Sequence, residues 1–304
     1  MPQQTVALRV TSADQLEHPN VNLSEARWRF LCEGDSWFTI GALNPIKSAN
    51  LLQHLRFSQI CWAINCGYPG DTLARMVERV QDKVFTSLLA NAPRRIVRPW
   101  DALLVSAGGN DLIDALNTAP EGAAKDDPSL RVLLTSAEWG NPALGPSRYV
   151  SESGFARFEA YVRANVLHLV ALRDSEGSES KGVPIFMHGY ALPTPREAGA
   201  GLKFGPWLKP ALVRYGIPDR DWTSLAAHLL RRLARALEDC AADPQQFPNL
   251  HVFHSLDGLG IVPAHEGDSG DSGDWVNEIH LNASGCEKLA TGWSQAIEAV
   301  MVLR

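Results

Sequence analysis

The chain predicts a single α/β domain spanning residues 1–304, doubly wound on a mainly parallel sheet of five strands. Three observations predict it. Five short apolar runs recur along the sequence: residues 28–33, 58–65, 101–107, 183–189 and 250–256. They are nearly continuous in apolar character, as strands buried on both faces must be, and not alternating as half-exposed strands are. Segments with apolar residues at three-to-four spacing fill the gaps, and strand–helix alternation of this kind builds parallel sheets through right-handed crossovers.

Taken in order, the run 28–33 (WRFLCE) ends at Gly34-Asp35-Ser36. The run 58–65 leads through Gly67 and Gly70 to helical periodicity over 72–90, with Asp71 or Thr72 as its cap. The run 101–107 ends at Gly108-Gly109-Asn110. Helical periodicity follows at 155–174, then the fourth run, then a further helix at 222–241. After the fifth run, residues 284–303 read as a closing helix, with Ser284 and Glu287 in capping-box spacing. Two stretches break the rhythm: 114–150 and 190–221 are rich in Pro and Gly and carry Trp139 and Trp207. Excursions of that length are expected to be lids or binding loops that wall a pocket.

Composition narrows the class. A formal net charge of −6 with only short basic pairs, Arg94-Arg95 and Arg231-Arg232, argues against a nucleic-acid partner. No window is long and apolar enough to span a membrane, and the first residues lack the basic-then-apolar order of a leader. The five cysteines include no CxxC pair and lie mostly in apolar runs, so they are expected to be reduced core thiols of a cytoplasmic protein. The spaced acids Asp268, Asp271 and Asp274 lack the ordered oxygen ligands of a calcium loop, and no metal is expected.

In doubly wound sheets ligands bind beyond the carboxyl ends of the strands. Four blocks occupy such positions here: Gly34-Asp35-Ser36, the segment 65–73 with Gly70, Gly108-Gly109-Asn110, and the segment 274–282 with His280. Together they supply a hydroxyl nucleophile (Ser36), a general base (His280) and hydrogen-bond donors for a developing oxyanion: the backbone N–H of Ser36, the backbone N–H of Gly70 and the side-chain amide of Asn110. Glycine suits position 70 because a side chain would obstruct backbone approach to a substrate. Asp35 reads as a turn residue bonding local amides. His188, at the end of the fourth run, reads as a core or rim histidine. A histidine base implies activity that falls as pH drops through its pKa.

These four blocks, in this order, resemble the SGNH (GDSL-type) hydrolase superfamily over residues 31 to about 285. The resemblance implies a flavodoxin-like three-layer α/β/α sandwich. It makes Ser36 the nucleophile, His280 the base, and Gly70 and Asn110 members of the oxyanion hole. It implies a serine esterase or lipase-like activity on small-molecule, lipid or acetylated-sugar esters, with no cofactor. The family pattern puts an aspartate three residues before the histidine, and here that residue is Asn277. Asp274, six before, is the preferred orienting acid, with Asn277 as the alternative and a backbone-assisted dyad as a third arrangement. The neutral Asn277 also sustains a reading of another class: a non-catalytic protein that binds carbohydrate or acyl groups at the same site.

Overall fold

The computed structural model describes residues 5–304 except 17, 19, 45, 79–80, 91–99 and 202. Its main sheet has six parallel strands: β2 (Arg9–Ser12), β3 (Trp28–Gly34), β5 (Cys61–Asn65), β6 (Ala102–Ser106), β7 (Ile185–His188) and β8 (Leu250–Phe253), in the order β2-β5-β3-β6-β7-β8. A small antiparallel pair, β1 (Val6–Ala7) with β4 (Arg56–Phe57), stands apart from it. The five predicted strands are β3, β5, β6, β7 and β8, and their order is that of a flavodoxin-like sheet. The sixth, β2, adds an edge beside β5. Every residue of β3, β6 and β7 is buried, which is why these strands read as unbroken apolar runs.

Helices flank the sheet: α1 (Leu51–His54), α2 (Leu73–Val77), α3 (Lys83–Ala90), α4 (Gly109–Leu116), α5 (Glu152–Arg173), α6 (Lys209–Arg214), α7 (Trp222–Ala241) and α8 (Ala283–Met301). The short α1 packs on α8, and α5 packs against α2, α3 and α7. The predicted helix 72–90 is two helices. Asp82 accepts the amide of Phe85 at 2.9 Å and so starts a new helix inside an unbroken apolar period. At α8 the cap is Asn282, whose side chain accepts the Gly285 amide, and not Ser284. The α2 amide at Leu73 is capped from a distance by the carboxylate of Asp111 on α4.

The stretch 114–150 is organised around the buried Arg131. Its guanidinium donates to the carbonyls of Ala124 and Leu133 and to the Glu138 carboxylate. Trp139 packs edge-on against Tyr149 and donates to the Leu134 carbonyl. These contacts pack the excursion against itself. The five cysteines are free, and all but the half-buried Cys66 are buried. No described helix is long and apolar enough to cross a membrane. Arg231 and Arg232 face Asp257 and Glu152, whereas Arg94-Arg95 lies outside the described residues.

Candidate active site

The sheet's strand order reverses between β3 and β6, and the crevice beyond that switch point is where a doubly wound fold binds ligands. Beyond β3 the chain turns sharply at Gly34, where a Cβ would fall 2.7 Å from the Phe38 ring and 3.0 Å from Ser106. Asp35 fixes the turn. Its backbone amide donates to the Ser106 carbonyl at the end of β6, and its carboxylate accepts from Trp37 N, Ser106 Oγ and Tyr190 Oη. Burial raises the Asp35 carboxyl to about 6 even against these bonds. The Tyr190 hydroxyl in turn accepts the amide of Gly109 at 3.0 Å. One buried carboxyl thus ties the turn after β3 to β6, to the segment after β7 and to the start of α4, and Ser36 sits on that anchored turn.

The second block is pinned to the same strand end. Tyr68 N donates to the Gly34 carbonyl at 2.8 Å, and the Asn110 amide donates to the Asp71 carbonyl at 2.9 Å. Asn110 stands in the first turn of α4, entered through Gly108 at φ 104°. Gly70 has φ 87°, and a Cβ there would meet no protein atom within 4 Å. Its backbone conformation, and not crowding by the protein, is what demands glycine.

Ser36 Oγ and His280 Nε2 are 2.6 Å apart. His280 Nδ1 lies 2.9 Å from Oδ1 of Asn277. The neighbouring bonds settle the direction of these contacts. Asn277 Oδ1 also accepts the backbone amides of Ile279 and His280, and its Nδ2 donates to the Gly41 carbonyl at 2.6 Å. An oxygen that faces Nδ1 can only accept, so Nδ1 carries the proton and Nε2 presents its lone pair to the serine hydroxyl. Burial alone lowers the His280 pKa to about 3, which keeps the ring neutral.

Asp274, the preferred orienting acid, is not the residue at His280. Its carboxylate accepts from the Val262 amide and from Lys288 Nζ, both at 2.6 Å. Burial pushes it up, but Lys288, the Val262 amide and Ser284 outweigh that and hold it below the ordinary value. Asp268 and Asp271 also point elsewhere, to Ser272 and to Lys47. Among the described residues no cluster of acids, cysteines and histidines is placed to hold a metal ion.

A residue that sequence reasoning passed over is Glu278. Buried beside the histidine, its carboxylate accepts the backbone amides of Arg196, Trp207, Leu208 and Lys209. Burial raises its pKa, and these four bonds oppose the rise without cancelling it. They clamp the excursion 190–221 onto the segment that carries His280 and set the Trp207 ring edge-on to His280, with centroids 5.3 Å apart. The only signal in the sequence was an acidic residue next to the His280 motif.

Ser36, Gly70, Asn110, Trp207 and His280 line one cavity of about 540 Å³. Among the described residues, 190–221 reaches it through Ala200, Phe204 and Trp207, and no residue of 114–150, Trp139 included, lines it. His188 is a core histidine. It is fully buried among Trp37, Tyr190 and Trp293, its Nδ1 accepts the Tyr190 amide, and burial lowers its pKa to about 3.

Replacing Glu278 by alanine strands four backbone amides and is expected to cost about 3 kcal/mol or more of stability. Glu278→Gln, which keeps one acceptor oxygen, is expected to lose less. Urea unfolding measures both, and an unchanged midpoint for the alanine variant would show that the clamp contributes nothing.

No family model and no curated protein sequence matches the chain. Solved structures do. A lipase from a goat rumen metagenome aligns over 88% of this chain and 97% of its own, at 11% identity and TM-score 0.51. An aryl esterase of M. smegmatis aligns over 90% and 99%, at 14% identity and TM-score 0.43. A carbohydrate acetylesterase of Sinorhizobium meliloti aligns over 90% and 100%, at 12% identity and TM-score 0.41. The α/β architecture, with its parallel sheet between helices, is a fold that the chain shares with the rumen lipase.

Proposed function

We propose that the protein is a serine ester hydrolase acting through an acyl-enzyme. The observation that carries this reading is the relay Ser36 Oγ–His280–Asn277, at 2.6 and 2.9 Å, with the imidazole in the tautomer that can accept the serine proton. Ser36 Oγ attacks the ester carbonyl carbon while its proton passes to His280 Nε2. The carbonyl oxygen takes up negative charge among the Ser36 N–H, the Gly70 N–H and the Asn110 amide; Asp71 uses one hydrogen of that amide and leaves the other for the oxyanion. The carbon–oxygen bond to the alcohol breaks, and the alcohol leaves with the proton from Nε2. Water then attacks the acyl-serine and gives a proton to His280; the bond from the acyl carbon to Ser36 Oγ breaks, Oγ takes that proton from Nε2, and the acid is released. No metal or organic cofactor is needed for these steps.

Asn277 keeps a second reading alive, that of a protein which binds carbohydrate or acyl groups without turnover. Aspartate-to-asparagine changes in serine triads cost about 10⁴ in turnover because the amide imposes the wrong tautomer. Here the Gly41 carbonyl holds the amide nitrogen away from the histidine, so that objection does not apply.

Ser36→Ala is expected to lower kcat on p-nitrophenyl acetate by at least about 10⁴ with the fold retained, and to abolish labelling by a fluorophosphonate. A wild-type protein that resists the probe and turns over no ester would favour the binding reading. Between the two orienting candidates, Asn277→Ala is expected to lose about 10²-fold in turnover through a misplaced imidazole, while Asp274→Ala stays near the wild-type rate and loses stability. The reverse pattern would restore Asp274 as the acid. The pH profile follows from the buried ring: the neutral form is the base, and a pKa lowered from 6.5 to about 3 preserves that form as pH falls. The acid limb of kcat/KM is therefore expected well below 6.5, and a midpoint at or above 6.5 would show a solvated, protonatable histidine.

A further inference from the structure

Two cavities meet at Ser36. The larger, of about 540 Å³, is lined by Ile40, Leu43, Tyr68, Phe204, Trp207 and His280. Its rim is open: Tyr68 and Phe204 are both largely exposed. The smaller, of about 40 Å³, lies between α4 and α7 and is walled by Leu112, Ile113, Tyr190, Pro193, Leu208 and Leu230. Both share Ser36, Asn110 and Ile279 as a common wall, and His280 lines only the larger.

We infer that these are separate chambers for the two halves of the ester, and that the substrates are esters of two- or three-carbon acids with a bulky alcohol. This rests on the hydrolase reading above. Four groups surround the tetrahedral carbon: Ser36 Oγ, the oxyanion, the leaving oxygen and the acyl carbon. The leaving oxygen must lie within hydrogen-bond reach of His280 Nε2 to take its proton, so the alcohol occupies the chamber that His280 lines. The oxyanion faces Gly70, Asn110 and the Ser36 amide. The direction that remains runs past Ser36 and Asn110 into the small apolar chamber.

Size then sets the acyl class. A water molecule needs roughly 10–15 Å³ of such space, and an apolar cavity of about 150 Å³ holds a benzene ring. The 40 Å³ chamber falls between these and accommodates one or two carbons beyond the carbonyl. Within that space a longer chain would press on Leu112 and Tyr190, which are buried and packed in the core. Ile113 on α4 and Leu230 on α7 are the specificity-determining residues, because they wall the chamber from two helices and neither touches the reacting atoms. The aromatic walls of the larger chamber, Tyr68, Phe204 and Trp207, suit an alcohol with a flat, weakly polar face.

The test is a p-nitrophenyl series of acetate, butanoate and octanoate, with one leaving group throughout. Wild-type kcat/KM is expected to fall at least about tenfold from acetate to octanoate. Leu230→Ala and Ile113→Ala are each expected to raise the octanoate-to-acetate ratio. Ile113 is only partly buried, so its variant keeps the test open where the α7 substitution fails to fold. Equal or rising kcat/KM with chain length overturns the chamber assignment and leaves the hydrolase reading standing, as does a folded variant with an unchanged ratio. If no ester is turned over and the fluorophosphonate does not label Ser36, the hydrolase reading fails and the chamber assignment falls with it.

Discussion

The side-chain amide of Asn277 donates to the Gly41 carbonyl, and that bond, with the two backbone amides that its oxygen accepts, sets the direction of the contacts at His280. With Nδ2 so engaged, Oδ1 must turn toward the histidine, where it gathers the Ile279 and His280 amides and the ring Nδ1. The ring proton is then on Nδ1 and the lone pair faces Ser36. A free asparagine could flip and present its NH₂ group, which would force the opposite tautomer. Gly41 is itself fitted to the task, since a Cβ there would come within 3.0 Å of the His280 Cβ. Closeness of Gly41 to Asn277 and His280 is therefore a condition of the chemistry proposed here, and not only of packing.

Three buried carboxyl groups surround this neutral relay, and each is committed elsewhere. Asp35 binds the turn to β6 and to Tyr190, Glu278 binds four amides of the 190–221 excursion, and Asp274 pairs with Lys288. Buried acids are costly unless their oxygens are satisfied. Here the satisfaction is also the architecture: these groups join segments that the sheet alone would not hold together. In the proposed reaction they fix the geometry, while the work on the substrate is left to uncharged groups.

Much of this was legible in the sequence for a plain reason. Strands buried on both faces must be apolar throughout, so β3, β5, β6 and β7 announce themselves; β8 is only half-buried beyond Leu250 but is still written in apolar residues, and in a doubly wound sheet the strand ends mark the crevice. The edge strand β2 was not legible because Val10 is its one apolar residue, among Arg9, Thr11 and Ser12, so it leaves no apolar run. The break between α2 and α3 was hidden by an apolar period that runs through it, and the mark of the break was the capping Asp82. Asp274 was preferred over Asn277 on charge alone. The facts that set Asn277 rather than Asp274 beside the ring are tertiary: the amide of Asn277 meets Gly41, 236 residues away along the chain, and Asp274 is held by Lys288. Glu278 was missed because its partners are backbone amides, which carry no signature in a sequence.

The neutral relay has an energetic logic of its own. A carboxylate at position 277 would stabilise the imidazolium formed during turnover, but it would be fully buried and would face the Gly41 carbonyl oxygen with no proton to offer it. Asparagine removes both penalties and keeps the orientation, at the cost of weaker support for the charged ring. A buried histidine already lowered to about 3 is a reluctant proton acceptor. The proposed reaction must then lean more heavily on stabilising the oxyanion, where preorganised donors supply the largest single contribution in many acyl-transfer sites. That demand is consistent with the bonds that fix the donors in advance: Tyr68 to Gly34, Asn110 to Asp71, and Asp35 to Ser106 and Tyr190. A site that gives up charge at its base has to be rigid at its oxyanion hole.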